Sequence, residues 1–359
     1  MLKLRVRIHL PMMFLVVIVL LTGLWAALIR VGWQLPNIAS VAGYHGALMI
    51  SGFLGTLVSL ERATVLQRKW AYAGSLLSSL GALTLLIGLP SEIGRAALVI
   101  SAAILCVIFV LFLRIRSTID ILTMSLGAVM WLIGNVLWLF GQPIASAVPW
   151  WVGFLILTIA GERLELSRVL MHRPLSKTIF RISIGVFTIG LIISLLNFDL
   201  GLRVSGVGLI LLGLWLIRFD VARFTLRQTG LTRYIAACLL PGYVWLAIGG
   251  GLWIIFGGTS IAGFHYDAML HTLFLGFVFS MIFGHAPIII PSVMPVDFTY
   301  RSIFYLHLVL LQLSLIVRIA ADLFAAQPVR MWAGLFNVVA VLLFLGMMLR
   351  SVHRRPITA

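Results

Sequence analysis

The stretch from Phe264 to Pro291 is apolar enough to cross a bilayer, yet it carries His265, His271 and His285 and an aspartate, Asp267. An ionisable side chain in hydrocarbon is expensive and needs a partner, so these residues mark a functional site by default. Two more histidines, His45 and His307, fall in other apolar runs. His9, His172 and His353 stand among basic residues and read as solvated charge. A neutral imidazole can ligate a metal, relay a proton or hydrogen-bond a backbone group. For any one histidine taken singly, the plain hydrogen bond is the simplest reading.

The elements that position these side chains must be membrane helices. Of 359 residues, 62% are hydrophobic and 10% charged, a balance with too little polar surface to cover a soluble domain. The expected fold is all-α, a polytopic membrane helical bundle of about twelve transmembrane helices forming a single transmembrane domain over residues 1–359. Apolar runs lie near residues 10–29, 40–60, 70–90, 94–113, 119–140, 148–161, 179–196, 203–218, 234–256, 264–290, 302–322 and 330–350, the sixth and eighth being short. The first run continues to about Ile29, too long for the core of a signal peptide, and reads as a retained span. Cys106 and Cys238 each sit in an apolar run, which supports neither a disulfide framework nor a thiolate metal site.

Charge fixes the expected orientation. With the N-terminus in the cytoplasm, twelve crossings leave only Arg30, Arg95, Arg203, Arg318 and Arg330 of the 26 Lys and Arg outside. That asymmetry places both termini in the cytoplasm, the protein in the cell (inner) membrane, and the excess positive charge against the lipid bilayer rather than a nucleic acid. Trp33, Trp70, Trp150, Trp151 and Trp332 cluster near span ends as an interfacial belt.

Depth then sorts the histidines. His45, in the second span, and His271, in the tenth, share an outer level; His285 and His307 share an inner one. His271 and His285 are 14 positions apart, which puts them on one helix face to within about 40° but roughly 21 Å apart along the axis. Two imidazoles on different helices at one depth suit a haem, whose iron takes one axial nitrogen from each side. Gly52 and Thr56, following His45, and Gly276, following His271, keep those faces small enough for a flat ring. The inner pair, His285 and His307, suggests a second centre, or histidines paired with carbonyls freed by Pro287, Pro291 and Pro295. Arg318 pairs with Asp322 one turn on, snorkels outward, or meets haem propionates with its planar fork. Asp267 orients an imidazole N–H or is merely interfacial. Glu61–Arg62 and Glu162–Arg163 read as helix-end anchors. Among sequence motifs there is no nucleophile elbow, Walker loop, zinc-protease signature or carboxylate dyad.

The segment His45-Gly46-Ala47-Leu48-Met49 resembles the HG-x-x-M stretch around the low-spin haem ligand of haem–copper oxidase subunit I. It is more similar still to the NnrS family of haem- and copper-containing membrane proteins that respond to nitric oxide. Their second-span motif HAHEMLFGF stands here as HGALMISGF, matching at His45, Met49, Gly52 and Phe53 and replacing the second His and the Glu by Ala47 and Leu48. The histidines of the tenth span and the late arginine of the eleventh also look NnrS-like. The oxidase copper motifs of the sixth and seventh spans are missing, so oxygen reduction is not expected. The resemblance implies a b-type haem between His45 and His271, with Met49, Gly52, Gly276 and Arg318 around it. It implies copper as a further cofactor, which the lost second-span His and Glu put in question.

The expected function is therefore electron transfer or a response to nitric oxide and nitrosative stress, with a redox partner or quinol. Whether this amounts to enzymatic turnover, and in what oligomer, the sequence leaves open. The alternative is a secondary transporter or metal-ion permease working through intramembrane histidines, against which the scarcity of buried carboxylates counts. A third is a structural membrane subunit whose histidines only link helices.

Overall fold

The computed structural model describes residues 2–87, 89–167, 174–294 and 296–354. His172, Arg168, Arg173, Pro295 and Arg355 lie outside the described residues. The fold is an all-α polytopic bundle. Among the described residues eleven helices are long and apolar enough to cross a membrane. The chain is accordingly a multi-pass membrane protein, since no other environment covers so many apolar flanks.

Among the described residues twelve longer helices follow one another along the chain. They are α1 Leu2–Val31, α2 Val41–Leu66, α3 Tyr72–Thr84, α4 Ser91–Ile115, α5 Ile119–Leu139 and α6 Ile144–Leu166. Then come α7 Pro174–Ile193, α8 Phe198–Phe219, α9 Gly230–Phe256, α10 Gly263–Val293, α11 Ser302–Leu323 and α12 Gln327–Ser351. The helix in the expected third run, α3, is only 13 residues long, preceded by a 3-10 turn at Lys69–Ala71. The two runs that look short in the sequence are complete helices of 23 and 22 residues. In the sequence charges cut both runs short, but those charges are paired, one pair buried and the other exposed. Arg163 of α6 holds Asp220, and Arg203 of α8 holds Asp199 one turn before it.

Two compact units divide the chain. The first runs to Gly161 and takes in Val293; the second comprises Glu162–Ser292 and the chain from Val296 on. In the first unit the expectation for His9 fails. α1 begins well before residue 10, so His9 is inside a helix and 0% exposed, its Nδ1 2.8 Å from the Val293 carbonyl and its Nε2 3.2 Å from the Tyr72 hydroxyl. A side chain expected in solvent is a buried packing link. In the second unit α7 and α8 pair closely, as do α8 with α9 and α11 with α12. Two three-residue strands, Val296–Phe298 and Val352–Arg354, pair antiparallel with Asp297 opposite His353, which is exposed.

Candidate functional site

Among the described residues two helices carry a π-helical segment, one just after His45 and one just after His271. In α2 a π-helical segment, Leu48–Leu54, begins three residues after His45. In α10 a π-helical segment, Thr272–Phe279, begins directly after His271. A π segment adds a residue to the turn and loosens the i→i−4 ladder, and such segments occur frequently at functional sites.

In the first unit the π segment is held by neutral groups. Ser78 donates to the Ser51 carbonyl and Thr56 to the Gly52 carbonyl, each at 2.5 Å. The Trp131 indole donates to Ser51 Oγ (3.0 Å), Ser51 donates to Asn135 Oδ1 (3.1 Å), and the Trp151 indole donates to the same oxygen (3.0 Å). Asn135 Nδ2 closes the chain on the Leu98 carbonyl at 3.3 Å. Ser51, Asn135, Trp131 and Trp151 are all fully buried. A buried polar network with every member satisfied makes a local conformation rigid.

His45 sits at the head of that segment with Nδ1 2.9 Å from the Gly23 carbonyl. A carbonyl only accepts, so Nδ1 is the protonated nitrogen and a neutral His45 keeps its lone pair on Nε2. Met49 packs on Gly23 as well: a Cβ there would collide with its thioether sulfur and lie 3.1 Å from its Cγ. Gly52 does not leave an open face. A Cβ on it would lie 2.6 Å from Ala82 Cβ and 2.8 Å from Val19 Cγ1, so this glycine is consumed by helix packing.

In the second unit ions gather on the residues that lead into the π segment. His271 Nδ1 is 2.9 Å from the Asp267 carbonyl and 3.3 Å from its Oδ1. Arg318 donates to Asp267 Oδ2 through Nε (3.0 Å) and a terminal nitrogen (2.8 Å), and that terminal nitrogen is 3.3 Å from His271 Nε2. Guanidinium only donates, so Nε2 of His271 is an acceptor, the same tautomer as His45. The other terminal nitrogen of Arg318 reaches Asn337 Oδ1 (3.3 Å), and Asn337 donates to Ser314 (2.7 Å). Arg330 divides its fork, one nitrogen 3.2 Å from Asp267 Oδ1 and Nε 2.8 Å from Asp322 Oδ1, with the guanidinium 5.0 Å from the Phe264 ring centre. Arg318 thus pairs with Asp267, not with its helical neighbour Asp322, because Asp322 is taken by Arg330. Asp322 is 0% exposed. Gly276, like Gly52, is packed shut: a Cβ would come 2.5 Å from Trp245 Cγ.

His285 and His307 have separate partners. His285 Nδ1 bonds the Met281 carbonyl (2.7 Å), and Nε2 accepts from Arg163 (3.1 Å). Arg163 also forks onto Asp220 at 2.8 and 2.7 Å, and Ser167 joins at 3.1 Å. His307, 0% exposed, has Nε2 2.9 Å from the Tyr234 hydroxyl and Nδ1 3.4 Å from Met347 Sδ. The carbonyl that Pro287 orphans, Phe283 O, is met by Tyr234 at 3.2 Å rather than by His285. Among the described residues no group of three or more His, Cys, Asp or Glu is placed to hold a metal ion. His265 is exposed and stacks on Phe256 at 4.1 Å.

Buried carboxylates are thus less scarce than the sequence suggests: Asp120, Asp220, Asp267 and Asp322 are all buried. Sequence reasoning also missed Arg330, Asn337 and Asp220 as site residues. Asp220 had a signal, being a lone acid between two spans among arginines; Asn337, polar in an apolar run, had another.

A family model described as Domain of unknown function (DUF8744) matches residues 7–353. No curated protein matches the chain.

Proposed function

The chain belongs to this DUF8744 family over nearly its whole length, and from that premise we propose that it is a haem-binding integral membrane protein of the NnrS type. His271 and His45 would hold a b-type haem, and the role is electron transfer or a response to nitric oxide. The observation that carries this reading is the shared build of the two segments. In each, a main-chain carbonyl takes Nδ1 and a π-helical segment follows. Anchoring Nδ1 on a carbonyl fixes the tautomer and ring orientation of a ligating histidine and directs Nε2 to the metal. Iron held at His271 Nε2 would displace only the Arg318 contact there; Arg318 and Arg330, both paired with Asp267, would supply the planar guanidiniums for propionates. The haem, once bound, supplies one-electron exchange, or a site for nitric oxide if one imidazole leaves. The packed faces at Gly52 and Gly276 do not take part in seating the ring. Both termini lie in the cytoplasm, the membrane is the inner one, and the electron donor is a redox partner or quinol.

The test is an absorption spectrum of protein purified after haem-replete expression. A Soret band that His271→Ala and His45→Ala each abolish or shift supports the proposal. Protein with no Soret band sinks it.

One observation favours a second reading, a secondary transporter or metal-ion permease. Asp267, Arg318, Arg330 and Asp322 form a charged set inside membrane spans, and such sets line proton and ion pathways. Proton-coupled uptake by proteoliposomes free of haem, lost in Asp322→Asn, supports it over the haem reading.

A further inference from the structure

Residues 220–229 connect α8 to α9 in the second unit. Both helices are membrane spans, so the connection lies at a bilayer surface. Within it Arg223 and Arg227 interleave with Phe224 and Leu226, two apolar side chains that stay exposed. Arg218 stands in the last turn of α8 and Arg233 in the first turn of α9, both exposed. The Trp215 indole donates to the Ser176 carbonyl at 2.8 Å, which brings the start of α7, with exposed Lys177 and Arg181, to the same end. Among the described residues none of these six cations is paired with a carboxylate. Asp220, the one acid in the connection, is fully buried and taken by Arg163.

Basic residues beside a span are common, and alone they give only a diffuse attraction. Two features make this stretch more specific. It is held in one shape: Asp220 Oδ1 accepts from the Ala222 amide at 2.7 Å, and Ser167 Oγ accepts from the Val221 amide at 3.4 Å. Those bonds fix the turn from which Arg223 projects. Arg223 also has its guanidinium 4.2 Å from the Phe224 ring centre, with Nε shielded from solvent and given no acceptor by the described residues. A shielded charged donor calls for an acceptor, and here that acceptor comes from outside the chain.

We propose that this stretch binds the headgroup of one anionic phospholipid. Arg223 and Arg227 donate to the phosphate, whose oxygens match the guanidinium fork. Phe224 and Leu226 lie against the first carbons of the acyl chains, as apolar side chains do at a membrane surface. Arg218 and Arg233 add positive potential around the phosphate. A free phosphate would account for the arginines but not for the exposed phenylalanine and leucine. The site shares no residue with the haem reading or the transport reading and stands apart from both.

The full-length protein is placed in nanodiscs of equal phosphatidylglycerol and phosphatidylcholine and released for native mass spectrometry. The expected result is one phosphatidylglycerol retained per chain in preference to phosphatidylcholine. Arg223→Gln should lower that retention about tenfold, since charge and fork are both lost. Arg223→Lys keeps the charge without the fork and should fall between the two. Phe224→Ser should lower retention about fivefold. Arg114→Gln removes the same charge from an exposed arginine near the end of α4, in the first unit, and should change retention by less than about twofold. Several outcomes overturn the proposal. They are equal retention of the two lipids, Arg114→Gln as harmful as Arg223→Gln, or Arg223→Lys equal to wild type, each of which leaves only diffuse attraction. Loss in Arg223→Gln with none in Phe224→Ser reveals a phosphate site that takes no lipid, and it overturns the proposal as well.

Discussion

The two π-helical segments begin at or soon after a histidine of the same tautomer, yet their surroundings differ in kind. The one in the first unit is braced by serine, asparagine and two indoles, all uncharged. The one in the second unit follows His271 and Asp267, around which two guanidiniums and a second carboxylate gather. A neutral network that is fully satisfied gives rigidity at small electrostatic cost. A buried ionic network costs desolvation and is maintained only by completeness, because losing one partner leaves an uncompensated charge. The difference suggests that the first segment serves to hold a shape and the second to respond to charge.

Removing a charge should therefore do the most damage. Asp267→Asn takes the shared acceptor from Arg318 and Arg330 and should cost about 3–5 kcal/mol, read as lowered thermal stability in detergent. Asn135→Leu should cost about 1–3 kcal/mol by stranding the Trp131–Ser51 and Trp151 donors. Ser78→Ala removes one bond to the Ser51 carbonyl and should cost about 1 kcal/mol. If Asn135→Leu proves as harmful as Asp267→Asn, the contrast between the units collapses. A double-mutant cycle on Asp267 and Arg330 sharpens it: coupling should exceed that of Ser51 and Asn135, since the first pair is charged.

Much of the helical order was readable, because a run of about 20 apolar residues admits few alternatives in a bilayer. The importance of His45 and His271 was readable for the same reason: imidazole in hydrocarbon is conspicuous. What stayed hidden was pairing across long separations. Arg330 looks like a loop charge until Asp267, far back in the chain, is found beside it. Arg163 looks like a helix-end anchor until Asp220 closes on it. The π segments were invisible, since one extra residue per turn is decided by neighbours such as Ser78 rather than by local propensity. The glycines were legible as small but not as full: what presses on Gly52 and Gly276 is known only once Val19, Ala82 and Trp245 are placed.

Gly23 has no side chain to donate or titrate, yet its main chain receives the His45 imidazole while its bare α-carbon admits the Met49 side chain. A larger residue there must displace the Met49 thioether, and where that side chain cannot yield, α1 moves off α2 and carries with it the oxygen that aims the ring. A single methyl group at this position can thus unseat a histidine twenty-two places along the chain, leaving every donor atom intact but misdirected.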